Sequence, residues 1–463
     1  MSAHAVFLEG SLMRHVVRMS LTSSVGLMAM FAVDFVDMVF ISMLGNDALA
    51  AAVGYAATIL FFTNAINIGL SIAAGSLVAR AIGADNDQDA SEYATNVAGF
   101  AILTGLLVPL LILPNCSSLL TILGAQDDVL DLAGRYVSII LPSMSIMGIA
   151  MTAMAVLRAH GDARRSMMVT LYGGIVNAVL DPILIFGLDM GLDGAAWASV
   201  AARIAMAALA IYPAIKVFGG FALPSLAAMK RDFAPISGIA VPAVLTNVAT
   251  PVGSAIVIRF VAGFGNEAVA GMAVIGRLTP LAFAVVFALS GAIGPIIGQN
   301  FGAKRPDRVR VAFIAGIKFV AVFVIAMSAL LYLLRIPIAD LFKASGETRD
   351  LIYLFCGPLA LASFFNGVIF VANASFNNLG HPLYSTMINW GRNTVDTWPF
   401  AIVGAHMAGA SGVLVGQAFG GVVFAILAWW LAYRVMTRAS VGAPEVHFVT
   451  EGRFHALFTR RGW

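Results

Sequence analysis

Apolar runs of about twenty residues, the length a helix needs to cross a bilayer's hydrocarbon core, recur along the chain between short polar breaks. Twelve such runs are predicted, over 15–44, 49–80, 92–114, 132–157, 166–187, 194–217, 235–263, 270–300, 310–334, 351–378, 384–405 and 412–434. Several are longer than a perpendicular crossing requires, which implies tilt or ends that pass beyond the bilayer. Arg14, His15 and Arg18 interrupt the first run early, and it continues too long for a cleavable signal, so this helix is expected to stay. Composition agrees with the pattern: 60% of the 463 residues are hydrophobic and only 11% charged, with a mean hydropathy of +0.92. Most of such a chain cannot be the surface of a soluble protein. The predicted fold class is therefore an all-α integral membrane protein of about twelve transmembrane helices.

Charge sets the orientation. Arg14, Arg18, Arg80, Arg158, Arg164, Arg165, Lys216, Lys230, Arg231, Lys304, Arg305, Arg308 and Arg310 lie on one set of connections, with Arg434, Arg438, Arg453, Arg460 and Arg461 at the end. The opposite set holds chiefly Arg135, Arg335, Lys343 and Arg349 and is rich in acids. Both termini are expected to be cytoplasmic, in the inner membrane. The net charge of +3 carries no signal for a nucleic-acid partner.

An internal repeat organises the chain. "MLGNDALAAAVG" at 43–54 resembles "GFGNEAVAGMAV" at 263–274, "VARAIGADNDQDA" at 78–90 resembles "GQNFGAKRPDRV" at 298–309, and "VLRAHGDARRS" at 156–166 resembles "SFNNLGHPLYS" at 375–385. Each half thus carries about six helices in one order, and an even number gives both copies the same orientation, a parallel repeat. The expected divisions are an N-terminal lobe over 1–217, an inter-lobe linker over 218–234, a second lobe over 235–437 and a cytoplasmic tail over 438–463. The two lobes are expected to be pseudo-symmetric, with a cleft between them.

Chemistry concentrates in the first half. "FAVDFVDMVF" places Asp34 and Asp37 inside a membrane run, where a carboxylate costs about 2.5–3.5 kcal/mol and so normally faces water, a partner or an ion. Asp37 and Asp181 each lie about seven residues from the outer end of their helix, hence at similar depth. Asn177 precedes Asp181 by one helical turn and shares its face, and Ser199 enters from the same outer side. Two close carboxylates tend to share a proton, while sodium favours the oxygens of Asp37, Asn177, Asp181 and Ser199, so a proton or sodium site is expected. Asp34 is read either as a second cavity residue or as a hydrogen-bond partner of a neighbouring helix. Pro182 cannot donate to the carbonyl of Ala178, so the helix should kink beside Asp181. That kink is either static or part of the coupling. Arg203, Arg259, Arg277, Lys318 and Arg392 also lie in or near spans; Arg392 and Asp396, four apart, are expected to pair. Arg259 and Arg277 either snorkel to the surface or line a substrate cleft, for which Asn373 is a further candidate.

The motifs "VDMVFISMLGNDALAAAV", "LVARAIGA", "LRAHGD" and "NAVLDPILIFGLDMGLDGAAWAS", with their second-half echoes, resemble the multidrug and toxic compound extrusion (MATE) family. The resemblance covers nearly the whole chain. It implies alternating access and antiport of amphipathic organic compounds, cations foremost, against protons or sodium ions. It assigns Asp37 to the family's helix 1 acid, Asn177 and Asp181 to its "NxxxD" motif, and Ser199 to a position where DinF-like relatives often place threonine. Acids of the NorM-like branch in helices 7 and 10 are missing, and Asn366 and Asn373 stand in helix 10 instead; Met154 occupies the first-half position matching Asn373. Coupling is therefore expected in the first lobe, with protons preferred. The competing expectations are a specific anionic metabolite as cargo, or a lipid-linked precursor. No P-loop, "HExxH" or nucleophile elbow appears, and Cys116 and Cys356 have no metal spacing. A transporter is expected rather than an enzyme, without a cofactor, acting as a monomer.

Overall fold

The computed structural model describes residues 5–44 and 47–440. Gly45 and Asn46 of the repeat motif, and nearly all of the tail expected over 438–463, lie outside the described residues. Among the described residues, eleven helical stretches are long and apolar enough to cross a membrane. The last, Pro382–Arg438, holds two crossings, because the helix breaks at Ala408 (φ −149°) and Gly409 (φ 61°, ψ −141°). The chain is thus a multi-pass, all-α membrane protein, with twelve crossings among the described residues.

We label them α1 (Leu12–Met43), α2 (Asp47–Gly83), α3 (Asp87–Ile112), α4 (Asp127–Ala159), α5 (Ala163–Gly187) and α6 (Gly191–Lys216). The second half holds α7 (Leu226–Ala262), α8 (Asn266–Ala282 with Ala284–Gly302), α9 (Pro306–Leu341), α10 (Gly346–Asn378), α11 (382–407) and α12 (410–440). The run expected as one helix over 270–300 is divided at Phe283. The expected linker is irregular only up to Ser225, since 226–234 already belongs to α7.

Turn chemistry sets the helix starts. Asn86 Oδ1 accepts from the Asp89 N–H (3.1 Å) to cap α3, and Asp162 Oδ1 accepts from the Arg165 N–H (3.0 Å) to cap α5. Each such cap satisfies a backbone donor that a helix start leaves open. Prolines set the breaks. A 3₁₀ turn over Leu141–Ser143 interrupts α4 at Pro142, and a π segment over Phe355–Leu359 interrupts α10 at Pro358, so the interruption recurs in both halves.

The helices form two compact units. One contains Thr22–Ile236, and the other Phe7–Leu21 with Ser237 onward. The base of α1 therefore belongs with the second half and the base of α7 with the first. In the first unit α4 packs against α2, α3 and α6, and α5 packs against α6; in the second, α10 packs against α8, α9 and α12. The first unit has two apolar cores, one around Ile59, Leu120, Val137 and Ile185, the other around Val78, Leu157, Val169 and Met206. Along α4, α5 and α6 the polar residues Ser143, Asp181, Ser199 and Arg203 fall between them, which sandwiches a polar layer between apolar layers.

The amino-terminal segment is held in the second unit by its backbone. Phe7 is buried, its N–H donates to Gln299 Oε1 (2.9 Å), and its carbonyl accepts from Asn300 Nδ2 (3.1 Å) and Arg308 Nη2 (3.0 Å).

Candidate functional site

The polar layer of the first unit is built by four helices. α1 supplies Asp34 and Asp37, α4 Tyr136 and Ser143, α5 Asn177 and Asp181, and α6 Ser199 and Arg203. Asp181 is fully buried, and its Oδ1 accepts from Asn177 Nδ2 at 3.3 Å. The carboxyl groups of Asp37 and Asp181 meet within hydrogen-bonding reach. A carboxylate can only accept, so this contact becomes a hydrogen bond when one of the two acids holds a proton. Oδ1 of Asp37 and Oδ2 of Asp181 are buried without a protein hydrogen-bond partner among the described residues. Buried acceptors are ordinarily satisfied, so two orphans at one point mark a place for a proton, water or ion.

Asp34 is exposed and within electrostatic reach of Asp37. The Ser199 hydroxyl lies within reach of Tyr136, whose phenol is close enough to feel both Asp37 and Asp181. Tyr136 is a member of the site that the sequence reading missed. Its only signal is one aromatic hydroxyl between Arg135 and Ser138, a few residues before Pro142. Arg203 has a traceable origin. The 3₁₀ turn redirects the Met144 N–H to the Leu141 carbonyl, freeing the Ile140 carbonyl, which accepts from Ser143 Oγ (2.7 Å) and Arg203 Nη1 (3.2 Å). A second bond from Arg203 Nη1 to Ser143 Oγ (2.8 Å) completes the anchor. The cation is thereby held close to Tyr136.

Beyond Asp181, α-helical geometry ends at Pro182 and a π turn covers Ile183–Gly187, in which the Leu188 N–H reaches the Ile183 carbonyl (2.9 Å).

The remaining residues lie in the second unit. Arg259, Arg277 and Lys318 are exposed. Asn373 is buried; its carbonyl accepts from Ser385 Oγ (3.3 Å) and its Oδ1 has no hydrogen-bond partner among the described residues. The expected Arg392–Asp396 ion pair does not form. Residues Gly391–Asp396 adopt π geometry, which removes the four-residue register, and Arg392 donates to Asn366 Oδ1 instead. Among the described residues no three His, Cys, Asp or Glu side chains form a metal-binding group.

A family model described as MatE matches residues 23–183 and 242–403, one stretch in each half. Similar proteins include a FAD transporter of Shewanella oneidensis, 27% identical over 437 residues that cover 91% of this chain and 94% of that protein. Another is the multidrug export protein MepA of Staphylococcus haemolyticus, 24% identical across 94% of this chain and 96% of its own. The crystal structure of the Vibrio cholerae MATE transporter VcmN, in an aspartate-to-asparagine mutant, superposes with a TM-score of 0.87 at 25% identity. It covers 92% of this chain and 97% of its own.

Proposed function

Because the chain belongs to the MatE family and is a membrane transporter rather than an enzyme, we propose that it is a proton-coupled antiporter exporting amphipathic organic compounds, cations foremost, by alternating access. The observation that carries this reading is the Asp37–Asp181 contact with Asn177 on one side and two unsatisfied carboxylate oxygens. One proton makes that contact attractive; without it two like charges face each other at short range. Proton uptake and release would thereby pull α1 and α5 together and let them part. Sodium would use the same acids, but Asn177 turns its NH₂ toward Asp181 and Ser199 is engaged by Tyr136, so fewer oxygens stand ready for a hard cation. This favours the proton. The protein is read as a monomer of the inner membrane with both termini in the cytoplasm.

A second cargo reading rests on the similarity to a FAD transporter. A dinucleotide is anionic, and the exposed Arg259 and Arg277 in helices 7 and 8 offer cations to such a molecule.

Proteoliposomes loaded with a fluorescent organic cation, and others loaded with FAD, would be given a pH gradient and then a sodium gradient. The proposal expects pH-driven cation efflux, reduced at least tenfold in both Asp37→Asn and Asp181→Asn. Sodium-driven efflux would reassign the ion, FAD efflux alone would favour the anionic cargo, and normal efflux by both variants would overturn the site.

A further inference from the structure

On the second unit an apolar groove of about 480 Å³ runs between α10 and α12, lined by Phe364 and Phe365 on one wall and Ile426, Trp429, Trp430 and Tyr433 on the other. Trp430 is 53% exposed and Ile426 63% exposed, so the groove opens along the side of the unit rather than into its core. Its volume is in the range that holds a small-molecule ligand. One end is cationic. Arg310, near the start of α9, sits over the Tyr433 ring at 4.6 Å and donates to the Tyr433 hydroxyl, and Arg434 lies over the Trp430 ring at 5.3 Å.

The two guanidiniums have a specific want. The ion pairs involve Arg135, Arg165 and Arg231, and neither Arg310 nor Arg434 pairs with an acid among the described residues. Both are exposed and turn toward aromatic rings, which position a cation without neutralising it. Both also lie at the end of their helices where the basic connections gather. An aromatic slot about two helical turns long, ending in two cations that pair with no acid among the described residues, matches one chemistry: an acyl chain joined to a phosphate.

We propose that this groove binds an anionic phospholipid, the acyl chain lying against Phe364, Phe365 and Trp429 and the phosphate held by Arg310 and Arg434. Arginine forks match phosphate oxygens, and the cytoplasmic leaflet, where the basic loops are expected, is the anionic one. A second copy of the chain is a poorer occupant, since an isologous contact would bring the same arginines face to face. The inference concerns the lipid-facing side of the protein and does not depend on the cargo or coupling ion.

The test uses the full-length protein released from detergent into a mass spectrometer with equal amounts of phosphatidylglycerol and phosphatidylcholine of identical chains. Phosphatidylglycerol should be retained at least fivefold over phosphatidylcholine, with the preference lost in the Arg310→Gln/Arg434→Gln double variant. In vesicles, phosphatidylglycerol brominated on its chains should quench tryptophan emission more than brominated phosphatidylcholine, and Trp429→Phe/Trp430→Phe should remove that difference. The vesicle comparison on the unmodified protein stands even if the arginine variant fails to fold. Equal retention of both lipids, a preference that survives the arginine changes, or displacement of the lipid by inorganic phosphate would overturn the proposal.

Discussion

The two acids of the polar layer are not equivalent. Asp181 is sealed from solvent and already holds one hydrogen bond from Asn177, whereas Asp37 is half-buried beside the exposed Asp34. Protons should therefore enter by way of α1. Asp34→Asn is expected to slow pH-driven transport without abolishing it, in contrast to Asp37→Asn, when initial rates are compared in proteoliposomes at matched expression. Tyr136 offers a separate test. Removing its hydroxyl takes away the polar group that lies beside Ser199 and the two acids, a loss of about 1 kcal/mol or roughly a fivefold effect if a hydrogen bond is deleted. Tyr136→Phe should lower the transport rate by that order while the thermal midpoint moves by only a few degrees; an unchanged rate would place the tyrosine outside the mechanism. The acids themselves were legible in the sequence, because a carboxylate in a membrane run announces its cost. Tyr136 and the role of Arg203 were not, because an amphipathic tyrosine fits a membrane helix at no comparable cost and the arginine's partner is a backbone carbonyl freed by the 3₁₀ turn at Pro142.

At the level of helices, the breaks explain both what was readable and what was not. Hydropathy placed the membrane runs well, since it depends on length and composition, but it cannot see that a proline changes the hydrogen-bond step from α to 3₁₀ or π. Nor can it see a change of step where no proline stands: the expected Arg392–Asp396 pair is removed by the π segment over Gly391–Asp396, which contains none. Pro182 lies at the corresponding transition in α5, directly after Asp181. Pro182→Ala should restore α geometry there, and altered pH dependence of transport is the expected result; normal transport with an unchanged pH profile would make the kink static. The α11–α12 hairpin depends on a different local rule. An added Cβ at Gly404 would collide with the Gly412 backbone, and one at Gly416 with the Phe400 backbone. The paired numbers 404 with 412 and 400 with 416 place an antiparallel turn about residue 408, where the backbone breaks. Gly404→Leu should prevent this approach, at a cost of about 1–3 kcal/mol or more, read as a fall in thermal midpoint and in the yield of folded protein.

On the scale of the whole molecule, two six-helix units of one construction were foreseeable from the repeat, but their membership was not. Similarity between halves says nothing about which half keeps the base of α1, and the Phe7 contacts with Gln299, Asn300 and Arg308 link residues almost three hundred positions apart. Asn300→Ala should leave the Phe7 carbonyl short of a partner and destabilise the second unit by about 1–3 kcal/mol, measurable as a lower unfolding temperature in detergent. The same attachment has a consequence for how the protein is made. Gln299 is synthesised 292 positions after Phe7, so at about 5–20 residues per second the seat of Phe7 is missing for roughly 15–60 s of synthesis. Throughout that interval the first unit is laid down while Phe7 waits, and its clasp closes only as one of the late events of assembly.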